Sequence, residues 1–225
     1  MSGRRIPDAT VERLPVYLRV LHDLATTGQG TVSSEQLAEM AGVNAAKVRK
    51  DLSHLGTYGT RGVGYDVDFL SFEIASRLGL ASETAVAIVG MGNLGRALAN
   101  HAGFRDRGFP VSNLYDNDES KVGTEVAGHV IQHLDELGAV AKADIGIGVI
   151  TTPPEVAQDV ADRLVQAGVR AILNFAPIVI AVPAHVTLRK VDLTHELQVL
   201  NFYQQREGAD AATQPDGSAA WLREI

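Results

Sequence analysis

The spacing of apolar positions changes near residue 84, and the change divides the chain in two. Ahead of it the spacing is helical. Leu14, Leu18, Leu21 and Ala25 share one face of a helix predicted over residues 10–25, with Pro15 either bending it or starting it. Ser34 reads as the N-cap of a second helix over 35–41, packed through Leu37 and Ala38. Gly42 and Val43 make a tight turn, and Asn44 caps a third helix over 45–55. Residues 56–65 are glycine-rich and predict a turn or short hairpin, and 68–78 a connecting helix.

Beyond residue 84 short continuous apolar runs replace the amphipathic pattern, as in strands buried on both faces. Strands are predicted at 85–89, 111–115, 144–150, 171–175 and 186–191. Helices are predicted from the glycines after the first strand to about 102, then at 133–143 and 154–167. Strand alternating with helix predicts a parallel sheet covered on both faces. A last helix spans 194–205, and residues 207–219 are polar and small, as in a flexible tail. The expected class is α/β. A helix-turn-helix unit occupies 1–80, a doubly wound sheet 81–192, a C-terminal helix 193–206 and a tail 207–225.

Composition narrows the chemistry. Cysteine is absent, which excludes disulfides, thiolate zinc sites and cysteine nucleophiles. With no signal-like run and no membrane-length apolar stretch, a soluble cytoplasmic protein is expected. The net charge of −7 argues against a wholly basic nucleic-acid coat, but it is unevenly placed. Residues 1–80 are neutral overall, and within 44–65 Lys47, Arg49, Lys50 and Arg61 face Asp51 alone.

Gly90-Met91-Gly92-Asn93-Leu94-Gly95 follows a strand and opens a helix, the context in which a GxGxxG pattern binds a dinucleotide. Gly90 allows a tight turn, Gly92 lets a pyrophosphate approach the backbone, and Gly95 lets helix and strand pack closely. The helix N-terminus offers amides to the phosphates. Asp116 ends the second strand at the usual distance, where a carboxylate accepts from ribose hydroxyls and repels a 2′-phosphate, favouring NAD(H) over NADP(H). Thr151, Thr152 and Pro153, then Asn174, Phe175 and Ala176, follow later strands and line the same crevice. Phe175 either packs near the nicotinamide or fills the core.

In the first unit, Val48, Leu52 and Leu55 turn one face of the third helix to the core. Lys47, Lys50 and His54 take the opposite face, with Arg49 at its edge. A cationic outer face on the second helix of a helix-turn-helix suits the major groove. Tyr58 to Tyr65 reads as a wing with Arg61 at its tip, suited to a narrow minor groove. Ser34, Asn44 and Tyr58 complete the expected DNA-contacting set. The alternative is a three-helix packing module with a solvated charged face.

Together these strings resemble the redox-sensing repressors called Rex, over residues 6–205. Val48-Arg49-Lys50-Asp51-Leu52-Ser53, Tyr58-Gly59-Thr60-Arg61-Gly62-Val63-Gly64-Tyr65, the glycine motif, Ile172-Leu173-Asn174-Phe175-Ala176-Pro177 and Val191-Asp192-Leu193 carry the resemblance. It implies a winged helix joined to a Rossmann-type sheet. The protein would be a homodimer on a palindromic operator, bound when free of NADH or with NAD+ and released by NADH. It further implies that the C-terminal helix is domain-swapped, with Leu197, Leu200 and Phe202 as its apolar surface, although packing within one chain stays open. Arg19 and Asp192 match a pair that forms across domains, and Asp192 equally reads as a helix N-cap. His101 stands where a relative carries tyrosine near the cofactor, a departure that leaves its role open. Two rivals remain. One is an NAD-dependent dehydrogenase, with His185 and His195 as its candidate bases, and the other is a CoA-binding subunit.

Overall fold

The computed structural model describes residues 6–56, 59–60, 62–138 and 145–213, with side chains as far as 206. The chain forms two compact units, Met1–Thr84 and Ala85–Ile225.

In the first unit α1 (Asp8–Val11) precedes α2 (Leu14–Thr26). The single helix expected over 10–25 is therefore split. Pro15 falls in the first turn of α2, where its missing N–H costs nothing, so it starts a helix rather than bending one. Leu14, Tyr17, Leu18, Leu21 and Leu24 are buried along α2. The cap of α3 (Ser34–Ala41) is one residue earlier than expected: the Ser33 hydroxyl accepts from the Gln36 N–H at 3.0 Å, and Ser34 is helical. Gly42, at φ 67°, ends α3 in the left-handed region, which glycine occupies without strain. Asn44 caps α4 (Ala45–His54) through the Lys47 N–H at 2.8 Å, as expected. Two short strands, β1 (Thr31–Val32) and β2 (Tyr65–Asp66), pair antiparallel, and α5 (Val67–Arg77) follows. Leu37, Val48, Leu52, Leu70 and Ile74 meet α2 in one core.

The second unit is a seven-stranded sheet ordered β5-β6-β4-β3-β7-β8-β9. Its strands are β3 (Val86–Val89), β4 (Val111–Asp116), β5 (Glu125–Val126), β6 (His129–His133), β7 (Ile147–Ile150), β8 (Ala171–Asn174) and β9 (Thr187–Lys190). All neighbours are parallel except β5 and β6. Val86–Val89 is buried throughout, which explains its unbroken apolar run. The helix expected to reach 102 stops sooner, as α6 (Asn93–Ala99), and α7 (Ala102–Arg105) follows. The helix expected at 133–143 starts later: His133 ends strand β6, residues 134–136 form a 3-10 turn and 137–138 are helical, while 139–144 lie outside the described residues. Helix α8 (Pro154–Gln166) lies close on the sheet: a Cβ at Gly148 would stand 2.8 Å from Leu164 Cδ1. The last helix, α9 (Leu193–Thr213), runs eight residues past its expected end at 205, into the segment expected as tail. Ala209, Ala211 and Ala212 lie in that extension, and alanine is the strongest helix former.

Candidate functional site

The strand order reverses around β3, so loops after β3, β4, β7 and β8 open a crevice at the carboxyl ends of the strands. Its volume is ≈ 700 Å³, and its walls include Gly90, Gly92, Leu94, Asp116, Lys121, Thr151, Thr152, Pro153, Phe175 and Ala176. Gly90 has φ 101°, and a Cβ there would lie 2.9 Å from the Thr151 carbonyl carbon and the Thr152 nitrogen. A Cβ at Gly95 would collide with the Gly90 carbonyl oxygen, whereas one at Gly92 meets nothing within 4 Å. Gly90 and Gly95 thus hold the turn, and Gly92 leaves the mouth open. The Thr151 hydroxyl donates to the carbonyls of Val89 (3.0 Å) and Gly90 (2.7 Å), pinning the turn to β7. Among the described residues the buried Thr152 Oγ1 has no partner. A crevice of this volume, open at Gly92 and with an unpaired Thr152 hydroxyl in its wall, fits a dinucleotide.

Asp116 is more engaged than a ribose acceptor waiting for ligand. Its carboxylate accepts from the Met91 N–H (2.7 Å), the Asp118 N–H (2.9 Å) and the Lys121 ammonium (3.1 Å). Burial pushes this carboxyl up, but those donors outweigh it and hold it below the ordinary carboxylate range. Lys121 went unnoticed in the sequence, where nothing ties a lysine five residues on to the carboxylate.

Not every expected cofactor residue faces the crevice. Asn174 is buried, and its side chain holds the following turn through Ala176 N–H (2.8 Å), Ala176 O (3.1 Å) and Ile178 O (3.3 Å). The Met91 side chain is buried in the core, leaving its backbone to the turn, and Asn93 is exposed outside the crevice wall. Phe175 packs against the core and also lines the crevice. His101 is exposed and stacks edge-to-face on Phe104 at 5.0 Å. His185 and His195 are exposed, and neither lines the crevice.

In the first unit Lys47, Arg49 and Lys50 are exposed along α4, and His54 is half-buried. Arg49 is held across to α3, its guanidinium donating to Ser34 Oγ (2.8 Å) and Glu35 Oε1 (2.9 Å). Ser34 is buried and serves Arg49 rather than standing free. Thr60 and Gly64 exchange backbone hydrogen bonds of 2.8 and 2.9 Å to close the wing turn. Gly64, at φ 99°, lies against the Val32 carbonyl, so a side chain there would push the wing away. Between wing and helices lies a cleft of ≈ 570 Å³ bordered by Ser33, Ser34, Arg49 and Thr60. Tyr58 and Arg61 lie outside the described residues.

Beneath α4 lies a cluster the sequence reading passed over. Asp51, there counted only as an opposing charge, is 1% exposed and pairs with Arg13 at 2.6 Å. Burial pushes its carboxyl up, and bonds from Arg13, Tyr17 and Thr10 hold it below the ordinary range. The Tyr17 hydroxyl is pushed up to about 12 by burial and by its bond to Asp51.

Asp192 caps α9, accepting from the Thr194 and His195 N–H groups at 3.1 and 3.2 Å, and pairs with Lys190 at 3.0 Å. Arg19 is exposed on α2. Leu193, Leu197, Leu200, Phe202 and Tyr203 are exposed along α9. Among the described residues no cluster of metal-ligating side chains occurs, and no helix is long and apolar enough to cross a membrane.

Residues 5–53 match a family described as "Putative DNA-binding protein N-terminus", and residues 81–178 match the CoA binding domain family. Two relatives named redox-sensing transcriptional repressor Rex are similar over 96% of this chain. The one from Streptomyces griseus subsp. griseus is 57% identical over 86% of its own length, and that from Streptomyces coelicolor 56% identical over 84%. Among solved structures, the Rex-family repressor RSP in complex with β-NAD+ and operator DNA superposes with a TM-score of 0.86. It is 33% identical, covering 93% of this chain and 97% of that one. RSP in complex with β-NADH gives 0.83 at 32% identity, covering 93% and 98%. With such identity sustained through both units, the chain belongs to the Rex family of redox-sensing transcriptional repressors.

Proposed function

We propose that this chain is a cytoplasmic transcriptional repressor that senses the NADH/NAD+ ratio, occupying its operator when NADH is low and leaving it when NADH binds. One observation carries the reading: a cationic winged helix and a dinucleotide crevice share a chain whose structural relative RSP has been solved both with β-NAD+ on operator DNA and with β-NADH.

Lys47, Arg49 and Lys50 on α4 supply donors for base edges and phosphates, and the wing flanks them. Gly90, Gly92 and Gly95 cradle the cofactor's pyrophosphate, with the first amides of α6 turned to it. Asp116, with Lys121 beside it, faces the adenosine ribose, and Phe175 and Ala176 border the other end. Reduced and oxidised nicotinamide differ in charge and ring planarity, and that difference is the signal to be read.

The apolar face of α9 joins two copies, which suits a palindromic operator whose half-sites repeat about every 34–36 Å. Arg19 and Asp192 form the pair whose making or breaking marks the state. Linkage then fixes a reciprocity: whatever factor NADH takes from operator affinity, operator takes from NADH affinity. No catalytic role belongs to this reading; the candidate bases of the dehydrogenase alternative, His185 and His195, are exposed and do not line the crevice.

The test is a gel shift on a genomic DNA pool with NADH, NAD+ or CoA added. Binding that NADH alone releases is expected. Release by CoA alone would support the CoA-binding reading, and occupancy indifferent to NADH would refute the sensor.

A further inference from the structure

We infer that Asp51 is a positioning residue for operator reading: it fixes how α4 is turned about its own axis, and so where Lys47, Arg49 and Lys50 point. The inference rests on the proposed repressor function and names a determinant of its specificity.

Helix α4 packs through Val48 and Leu52, both fully buried. Apolar burial is non-directional, so it sets the depth of a helix better than its rotation. Directional contacts supply the rest. The Asp51 carboxylate takes four hydrogen bonds: Oδ1 from Thr10 Oγ1 (2.9 Å) and Arg13 Nη2 (2.7 Å), Oδ2 from Arg13 Nε (2.6 Å) and the Tyr17 hydroxyl (2.8 Å). That exhausts its acceptor sites. The partners come from α1, from the Arg13 turn and from α2, so α4 is tied to three points of the N-terminal segment. The arginine fork is bidentate and therefore fixes orientation as well as distance.

Stability alone does not call for this arrangement. Apolar residues of similar volume often hold a core as well as a buried ion pair does, while a buried polar group specifies register. Asp51 adjoins Lys50 in sequence, so any rotation it prevents would be felt directly at the cationic face. Its charge is also matched by Arg13, which leaves the outer face of α4 positive.

Charge and position make opposite predictions, and the test uses that. Full-length wild type, Asp51→Asn and Tyr17→Phe are titrated against an operator fragment recovered from the genomic pool and against an unrelated duplex at one salt concentration. NADH fluorescence and thermal melts run alongside. In Asp51→Asn the ratio of operator to unrelated affinity should fall about tenfold or more, with unrelated-duplex binding unchanged or tighter because a negative charge is gone. NADH affinity should stay as in wild type. Tyr17→Phe, missing one hydroxyl, should lower the ratio about threefold. If Asp51→Asn is unfolded at the assay temperature, Tyr17→Phe decides. Preserved ratios, or loss of both DNA affinities in equal proportion, would overturn the inference. A wild-type chain without operator preference would instead overturn the repressor reading on which it rests.

Discussion

Replacing Gly95 by alanine should destabilise the second unit, whereas the same change at Gly92 should spare the fold and weaken cofactor binding. At Gly95 the new methyl group meets three neighbours. Met91 Cε, 2.9 Å away, ends a flexible side chain and can yield. The Gly90 carbonyl oxygen cannot, because its turn is fixed by the Gly90 N–H to Tyr115 O bond (2.8 Å) and by the Thr151 hydroxyl (2.7 Å). Relief therefore requires α6 to lift from β3. Overpacking of this kind costs about 1–3 kcal/mol, and loss of the Thr151 bond adds about 1 kcal/mol. A total near 3 kcal/mol corresponds to a melting temperature lower by about 6–12 °C in a unit of this size. At Gly92 nothing lies within 4 Å and φ is −78°, so stability should stay within about 0.5 kcal/mol of wild type. The methyl group there borders the crevice and should weaken NADH by about tenfold. Circular-dichroism melts and NADH fluorescence titrations measure both. Equal destabilisation by the two variants, or an unshifted melt for Gly95→Ala, would refute the assignment of a packing role to one glycine and a ligand role to the other.

Acid should expose the Asp51 cluster. Its folded pKa is depressed, so its stabilisation is complete above the unfolded value of about 3.9 and is lost as pH falls through the folded one. The urea midpoint of wild type should fall below pH 4 more steeply than that of Asp51→Asn, and parallel acid limbs would count against the account. Lys121→Ala leaves the Asp116 charge less compensated, so NADPH should weaken relative to NADH by about threefold or more. An unchanged ratio from competitive titration would show that the lysine does not tune that end of the crevice. Leu197→Glu with Leu200→Glu places two charges on the exposed face of α9, and sedimentation should show the proposed dimer of wild type replaced by monomer at micromolar concentration. A persistent dimer would move the interface elsewhere.

What the sequence disclosed follows from how far each signal extends. Val86–Val89 was legible because burial on both faces leaves four apolar residues in a row, and the glycines after it because Gly90 and Gly95 have no room for a side chain. Asn44 was legible because a cap acts within its own turn. Strands β1, β2 and β5, two residues each, are too short to show a period. Strand β6 gave no sign of itself because pairing across the sheet, not local pattern, makes it a strand. Asp51 and Lys121 stayed hidden for one reason. A charge is visible in a sequence, but its partner is found only when distant segments meet: Arg13 lies 38 residues from Asp51. Asn174 shows the converse, a residue placed correctly at a strand end whose polar atoms are spent on the backbone beside it.

The close seat of α8 above Gly148 reaches further than packing. The same helix lends Val156 and Val160 to the crevice wall, so the height at which Leu164 rests on the sheet also sets the width of that wall. A methyl group added at Gly148 would tilt the helix from behind and reshape the cofactor's berth without touching it. Sensitivity to the reduced coenzyme can therefore drift through substitutions on the far side of a helix, at positions that no inventory of ligand contacts would include.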